Sequence, residues 1–90
     1  MNQRRIVYYS GEVQGVGFRF TARRAAAGYD ITGYVRNLPD GRVEVVAEGP
    51  SDQIDQFLDD LAERMRPYIA GTVQQTAVPT GEFSTFDISK

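Results

Sequence analysis

The sequence predicts an α+β domain in which two helices cover one face of an antiparallel sheet of four to five strands. Three observations support this fold class. Short apolar runs rich in β-branched and aromatic residues are typical of strands. Two segments repeat apolar residues at helical spacing, and Gly and Pro separate the runs. A length of 90 residues, with 41% hydrophobic and 24% charged residues, predicts a single domain covering residues 1–90.

The first half of the chain predicts a strand, a helix and a two-stranded hairpin. Gly28 is well placed to end the helix, and Pro39 with Gly41 favours a tight turn between the hairpin strands. In the third strand, small apolar residues alternate with charged ones, the pattern of a strand with one apolar face. The predicted elements are strand one at 5–13, helix one at 18–27, strand two at 31–37 and strand three at 42–48.

Helix two is the most sharply defined element of the second half. Ser51 is a natural N-cap and Pro67 ends the helix, and between them apolar residues recur at helical spacing. The opposite side carries five carboxylates, which predict a solvated helix face, with a metal cluster as the alternative. Two further strands are predicted at 72–78 and 83–88. The apolar positions are Ile54, Phe57, Leu58, Leu61 and Met65, and the acids are Asp52, Asp55, Asp59, Asp60 and Glu63.

The order of elements is β-α-β-β-α-β with a short final strand, which is the split βαβ, ferredoxin-like arrangement. In this arrangement strands one and two run parallel on either side of strand three. Their carboxyl ends therefore lie at one edge of the sheet, about 10 Å apart at two strand spacings. Asn37 closes strand two at the edge where the chain leaves strand one. The gap between them is sized for a phosphoryl group and one water.

The segment from Gly11 to Arg19 carries the strongest functional signal. Gly15 and Gly17 allow a tight turn that brings several N–H groups to one point, and helix one directs its positive N-terminal end there. With Arg19 in the first helical turn, the segment predicts a cradle for a doubly charged oxyanion such as phosphate. A Gly-x-Gly turn alone is more typical of plain chain reversal. Because Phe20 replaces the third glycine, the segment is not a complete dinucleotide fingerprint.

The composition removes several kinds of chemistry. The chain has no cysteine and no histidine, which excludes thiol nucleophiles, the usual general base and the commonest transition-metal ligand. Neither a signal peptide nor a membrane span is recognisable, so a cytoplasmic protein is expected. Residues 1–42 hold seven arginines and three acids, whereas residues 43–90 hold three basic residues and nine acids. The basic half contains the glycine loop, which fits a small anion better than a nucleic acid.

A second motif, Gly33-Tyr34-Val35-Arg36-Asn37 followed by Gly41, Val43 and Gly49, completes the pattern. Taken alone, Asn37 is more typical of a residue that enters a turn. Together with Gly11-x-Val13-Gln14-Gly15-Val16-Gly17-Phe18-Arg19, the motif resembles the two signatures of the acylphosphatase family. The departures are Gly17, where many members carry Phe or His, and Tyr34, where Trp is frequent; neither affects the residues assigned to chemistry.

The resemblance implies hydrolysis of the mixed anhydride between a carboxylate and phosphate, in a small stand-alone enzyme without metal or cofactor. It implies that Arg19 grips the phosphate and that Asn37 positions the attacking water. Backbone N–H groups complete the phosphate site, from Gln14, Gly15, Val16, Gly17 and Phe18. These roles agree with the chemistry. The leaving carboxylate needs no strong acid, phosphoryl transfer needs mainly placement and charge stabilisation, and arginine offers two donors in a fork.

Two alternatives are open. An RNA recognition motif has the same fold but needs aromatic residues on its central strands, whereas strand three has none and carries two acids. A specialised phosphate-binding domain of the acylphosphatase type is the second, as in larger carbamoyl-transferring maturation enzymes. The start at Met1, the end just after the last strand and the presence of Arg19 with Asn37 favour an active free-standing enzyme. We expect a monomer that takes small acyl phosphates, without nucleic acid or membrane partners, and with broad tolerance of the acyl group.

Overall fold

The chain folds into five strands and two α-helices in a computed structural model that describes residues 1–89. The elements follow the predicted order, with a single turn of 3₁₀ helix after the second α-helix. Their bounds are β1 Asn2–Gly11, α1 Phe18–Ala26, β2 Thr32–Asn37, β3 Val43–Pro50, α2 Ser51–Met65, the 3₁₀ turn Arg66–Tyr68, β4 Ile69–Ala77 and β5 Phe86–Ile88.

The sheet has the strand order β4-β1-β3-β2-β5. Both β1 and β2 pair antiparallel with β3, so they run parallel to each other, as the split βαβ arrangement requires. Tyr9 of β1 and Asn37 of β2 both lie opposite Val43, near the carboxyl ends of their strands. The ends of the two strands that carry the sequence motifs therefore share one edge of the sheet.

The prediction of a purely antiparallel sheet was wrong at β5, which pairs parallel with β2. The reason is the route of the chain after β4. Ala77 lies opposite Arg4, so β4 ends where β1 begins. From there the chain crosses the sheet near Glu48 and reaches β2 at Gly33, close to its start. Because the chain reaches β2 near its first residue, β5 runs in the same direction as β2, and the two strands pair parallel.

Both helices pack on the same face of the sheet, and the apolar positions predicted for α2 are buried. In α2, Ile54, Phe57, Leu58, Leu61 and Met65 are buried. In α1, Phe18, Ala22, Ala25 and Ala26 are buried, while Tyr29 beyond the helix packs against the same core. The helical periodicity therefore identified the core-facing side correctly, because in both helices only one side meets the sheet.

The ends of several elements differ from the predictions. The first strand spans Asn2–Gly11 instead of 5–13, and the third spans Val43–Pro50 instead of 42–48. Ser51 is the first residue of α2 rather than its cap, because β3 pairs as far as Pro50, which takes the cap position; the Ser51 N–H donates to the Met1 carbonyl. The fourth strand begins at Ile69 instead of Thr72. The fifth begins at Phe86 instead of Phe83, whose ring packs against Tyr34 with centroids 5.7 Å apart.

The face of the sheet away from the helices is also partly covered. The third strand was predicted to alternate apolar with charged residues, yet Glu44 and Glu48 are only 6% and 5% exposed. Glu44 accepts hydrogen bonds from Tyr34 and Arg36 of β2. Glu48 accepts bonds from Arg4 and from the segment after β4. The polar side of this strand therefore lies under a layer of hydrogen-bonded side chains.

Candidate active site

The loop between β1 and α1 is shaped by two glycines in the left-handed region. Gly15 and Gly17 both have φ of 79°, and a Cβ at either position would meet no atom within 4 Å. Glycine is therefore favoured there by backbone conformation and not by lack of space. Gly17 comes directly before α1, so its left-handed conformation sets the orientation of the first helical turn relative to the loop.

The N-terminal end of α1 leaves several N–H groups open. Gly17 provides no side-chain cap, and the first turn contains no acidic residue. The first helical hydrogen bond runs from the Thr21 N–H to the Gly17 carbonyl, so the three preceding N–H groups have no helical acceptor. Within the described part of the chain, no protein acceptor takes the N–H groups of residues 14–17 either. The loop and the helix start thus present a group of unsatisfied donors.

A buried aromatic pair fixes the position of the helix start. Phe18 is 1% exposed, and its ring lies 5.0 Å from that of Tyr9 on β1. Tyr9 is 2% exposed, and burial raises the pKa of its phenol. These contacts attach the first turn of α1 to the sheet. The open N–H groups therefore stand on a rigid support.

Arg19 lies in the first turn of α1 and is partly buried. Within residues 1–89, no carboxylate lies within 4.0 Å of its guanidinium, nor does it donate a side-chain hydrogen bond. Among the other arginines, the exposed Arg24 is similarly without an acidic partner within residues 1–89. Arg19 therefore brings an uncompensated positive charge to the open N–H groups.

Asn37 and Arg19 line the same cleft. Asn37 is the last residue of β2, opposite Val43, and its side chain forms no hydrogen bond with any residue of the described chain. The cleft measures about 240 Å³ and is lined by Val13, Gly15, Gly17, Phe18, Arg19, Phe20 and Asn37. The structure thus brings the two sequence motifs together at the predicted edge of the sheet.

Gln14 and Val16, two of the predicted phosphate-site residues, do not line this cleft. Val16 packs its side chain against the core. Gln14 turns its side chain toward the β2–β3 turn, where Nε2 donates to the carbonyl oxygens of Leu38 at 2.8 Å and Arg42 at 2.9 Å. The sequence predicted a role for the backbone N–H of Gln14 only, so this connection between the two motifs was not predicted.

Phe20 is a further cleft residue that the sequence analysis did not assign. It appeared there only as the residue that replaces a third glycine. In the structure its ring lines the cleft and is 61% exposed. Its position one residue after Arg19, on the same helical turn, was the available signal.

The acidic surface of α2 is the other charged feature of the molecule. Asp52, Asp55, Asp59 and Glu63 are exposed, and the partly buried Asp60 accepts hydrogen bonds from Tyr29 and Arg64. Residues 1–89 contain no group of three or more side chains able to hold a metal ion together. The predicted solvated helix face agrees with these contacts.

A larger depression, of about 440 Å³, lies between α2 and β4. It is lined by Asp59, Ala62, Glu63, Arg66, Ile69 and Thr72, and Arg66 is already paired with Glu63. The two acids would repel a phosphate dianion. The smaller cleft at Arg19 is therefore the candidate active site. Separately, the part of the chain described contains no helix long and apolar enough to cross a membrane.

Comparisons with known proteins show which chains this one is similar to. A family model named Acylphosphatase matches residues 5–88. An acylphosphatase of Methylococcus capsulatus is 46% identical over 85 residues, which cover 91% of this chain and 90% of that protein. The crystal structure of an acylphosphatase from Bacillus subtilis superposes with a TM-score of 0.85 at 29% identity, covering 100% of both chains. HypF of T. kodakarensis matches with a TM-score of 0.79 at 32% identity, over 100% of this chain but 12% of HypF.

These matches define a small α+β phosphohydrolase. The chain belongs to the acylphosphatase family, and its activity is the hydrolysis of acyl phosphates. Both sequence motifs lie inside the matched residues 5–88.

Proposed function

We propose that this enzyme cleaves the carboxyl–phosphate bond of small acyl phosphates in the cleft shared by Arg19 and Asn37. In this proposal the phosphate dianion lies on the N–H groups of residues 14–18 and on the guanidinium of Arg19. Asn37 orients the attacking water. The observation that carries the proposal is that a partly buried arginine without an acidic partner and a side-chain amide without a hydrogen bond line one cleft of about 240 Å³.

The reaction is a displacement at phosphorus. The oxygen of water bonds to phosphorus, the bond from phosphorus to the acyl oxygen breaks, and the acyl group leaves as a carboxylate. The water proton passes to a phosphate oxygen of the substrate. A carboxylate is a good leaving group, so no general acid is needed, and placement with charge stabilisation supplies most of the catalysis.

Arg19 and Asn37 divide the work in this mechanism. The guanidinium of Arg19 offers a fork of N–H donors to the equatorial oxygens, a geometry that lysine cannot reproduce. Asn37 does not titrate near neutral pH, so it orients water and does not accept its proton. Loss of one preorganised donor typically raises the barrier by on the order of 3–4 kcal/mol. Because arginine and the open N–H groups supply the positive field, we propose that no metal or cofactor is required.

An RNA-binding function is less consistent with the open face of the sheet. The central strand β3 presents Glu44 and Glu48 on that face, and both are covered by hydrogen-bonded side chains. Tyr8, the neighbouring aromatic residue on β1, lies under the guanidinium of Arg42, 4.7 Å from the ring centroid. Bases would have to displace these contacts in order to stack. The overall charge of −2 further disfavours a nucleic-acid backbone.

We further propose that residues 1–90 act as a single catalytic domain, as a monomer in the cytoplasm, on a free small-molecule substrate. The specialised domain of a larger maturation enzyme is the second candidate, because HypF contains a domain of the same fold. Turnover of simple acyl phosphates distinguishes the two, and analytical ultracentrifugation measures the oligomeric state.

The test of the proposed function is hydrolysis of benzoyl phosphate in the presence of a chelator. Wild type should turn over, while Arg19→Ala and Asn37→Ala should each lose about 100-fold or more. Arg24→Ala is the matched control, because Arg24 is an exposed arginine of the same helix without an acidic partner, and it should retain activity. Activity that disappears with the chelator, or that survives both substitutions in the cleft, would overturn the proposal.

A further inference from the structure

An exposed aromatic ring stands beside the proposed phosphate site. Phe20 lines the cleft and is 61% exposed, whereas the other large apolar residues of the lining, Val13 and Phe18, are 0% and 1% exposed. Phe20 is therefore the large apolar side chain of this cleft that an incoming molecule can reach.

A neighbouring cation stabilises the position of this ring. The guanidinium carbon of Arg23 lies 5.5 Å from the centroid of the Phe20 ring, within cation–π range. Arg23 in turn has Nη1 3.8 Å from a carboxylate oxygen of Asp87 on β5. The ring is thus supported from the sheet edge. A supported ring loses less conformational freedom on binding than a free one does.

We propose that Phe20 binds the acyl group of the substrate and makes the enzyme favour aromatic acyl phosphates over acetyl phosphate. This inference rests on the proposed function, because it takes the phosphate to lie on the loop and on Arg19. With the phosphate held there, the acyl group lies outside the cradle, at the mouth of the cleft that Phe20 lines. An aromatic acyl group buries apolar area against the ring, whereas an acetyl group is too small to cover it. The enzyme therefore discriminates among acyl groups, contrary to the broad tolerance expected from the sequence.

The experiment compares kcat/KM for benzoyl phosphate and acetyl phosphate in wild type and in Phe20→Ala. We expect Phe20→Ala to lower kcat/KM for benzoyl phosphate about five- to tenfold, mainly through KM, as burial of part of a ring face predicts. The value for acetyl phosphate should stay within about twofold, because acetyl makes little contact with the ring. Phe20→Leu, which keeps an apolar side chain, should lie between wild type and Phe20→Ala.

Two controls make the outcome decisive. Val73→Ala shortens an apolar side chain on β4 that is 59% exposed and outside the cleft, and it should leave both substrates unchanged. Inhibition by inorganic phosphate should be the same in Phe20→Ala and wild type if the phosphate site is intact. An equal loss for both substrates, or no loss for either, would overturn the inference while leaving the proposed function standing. Failure of wild type to hydrolyse either substrate would instead overturn the proposed function.

Discussion

The side-chain amide of Gln14 donates a hydrogen bond to the carbonyl oxygen of Leu38 at 2.8 Å. Leu38 directly follows Asn37, and Gln14 directly precedes Gly15, so this bond joins the two sides of the cleft. A second bond from the same nitrogen, to the Arg42 carbonyl at 2.9 Å, involves the far end of the same turn. One partly buried amide therefore holds the loop between β1 and α1 in register with the strand that carries Asn37.

Gln14→Leu should lower kcat more than it raises KM. The substitution keeps the size of the side chain but removes both donated hydrogen bonds, so the Asn37 turn can shift relative to the loop. We expect a loss of about tenfold in kcat, together with about 1–2 kcal/mol of unfolding free energy. Gln75→Leu, on exposed β4, is the control for replacing a glutamine elsewhere. If Gln14→Leu is destabilised but keeps the wild-type kcat in steady-state kinetics, the Gln14 hydrogen bonds contribute to stability and not to catalysis.

Gly17→Ala should weaken phosphate binding through backbone conformation alone. No atom lies within 4 Å of the added Cβ, but φ of 79° disfavours alanine and costs about 1 kcal/mol. Relaxation of this turn reorients the open N–H groups, and we expect about tenfold weaker inhibition by inorganic phosphate, equivalent to one hydrogen bond to a charged group.

The matched control for this substitution is Gly81→Ala. Gly81 has φ of 71° and also has space for a Cβ, but it lies outside the active-site cleft. Chemical denaturation should show a loss of stability in both variants, and the larger loss in Gly81→Ala, whose N–H donates to Glu48. Equal phosphate inhibition in both would show that the conformation of Gly17 does not affect binding.

Glu48 should make the stability of the protein sensitive to acid. Burial would raise the pKa of this carboxyl, but N–H groups of Thr80 and Gly81, with Arg4, bond to the charged form and lower its pKa from 4.5 to about 2. A lowered pKa in the folded state means that the stabilisation is complete above pH 4.5. It is lost as the pH falls from 4.5 toward about 2.

Glu48→Gln should therefore lose up to about 3 kcal/mol of unfolding free energy at pH 7 and show a flatter acid limb. Urea unfolding at several pH values measures both effects. Asp59→Asn, at an exposed acid of α2 without an ion pair in the described chain, should leave the pH profile unchanged. A Glu48→Gln profile with the wild-type acid limb would mean that other carboxyls cause the acid sensitivity.

The helices and the order of elements could be predicted because local pattern and tertiary packing agree. In α2 one apolar side faces the sheet, and the helical spacing of the apolar residues from Ile54 to Met65 predicts that side. The parallel pairing of β5 could not be predicted in the same way. It depends on where the chain crosses the open face, and that crossing depends on contacts of Glu48 with residues more than thirty positions away.

For the candidate site, the sequence predicted the two motifs and their meeting at one edge of the sheet. The glycine spacing, together with Arg19 and Asn37, predicted that the two motifs meet at one edge of the sheet. In the structure, residues of both motifs line the same cleft. The sequence could not distinguish a backbone role of Gln14 from a side-chain role, because the partners of its amide are carbonyl groups that any residue carries. Phe20 was missed for a related reason, since an apolar residue in an amphipathic helix is ordinarily assigned to the core.

The most direct test of the account is the dissociation constant of inorganic phosphate in Asn37→Ala and Arg19→Ala, measured by calorimetry beside kcat. If the two side chains act on one bound dianion, Asn37→Ala should bind phosphate within about threefold of wild type while turnover falls by about 100-fold or more. Arg19→Ala should weaken phosphate binding by at least about tenfold and lose turnover as well. Asn37→Ala that binds phosphate as poorly as Arg19→Ala, or that turns over normally, would contradict the account.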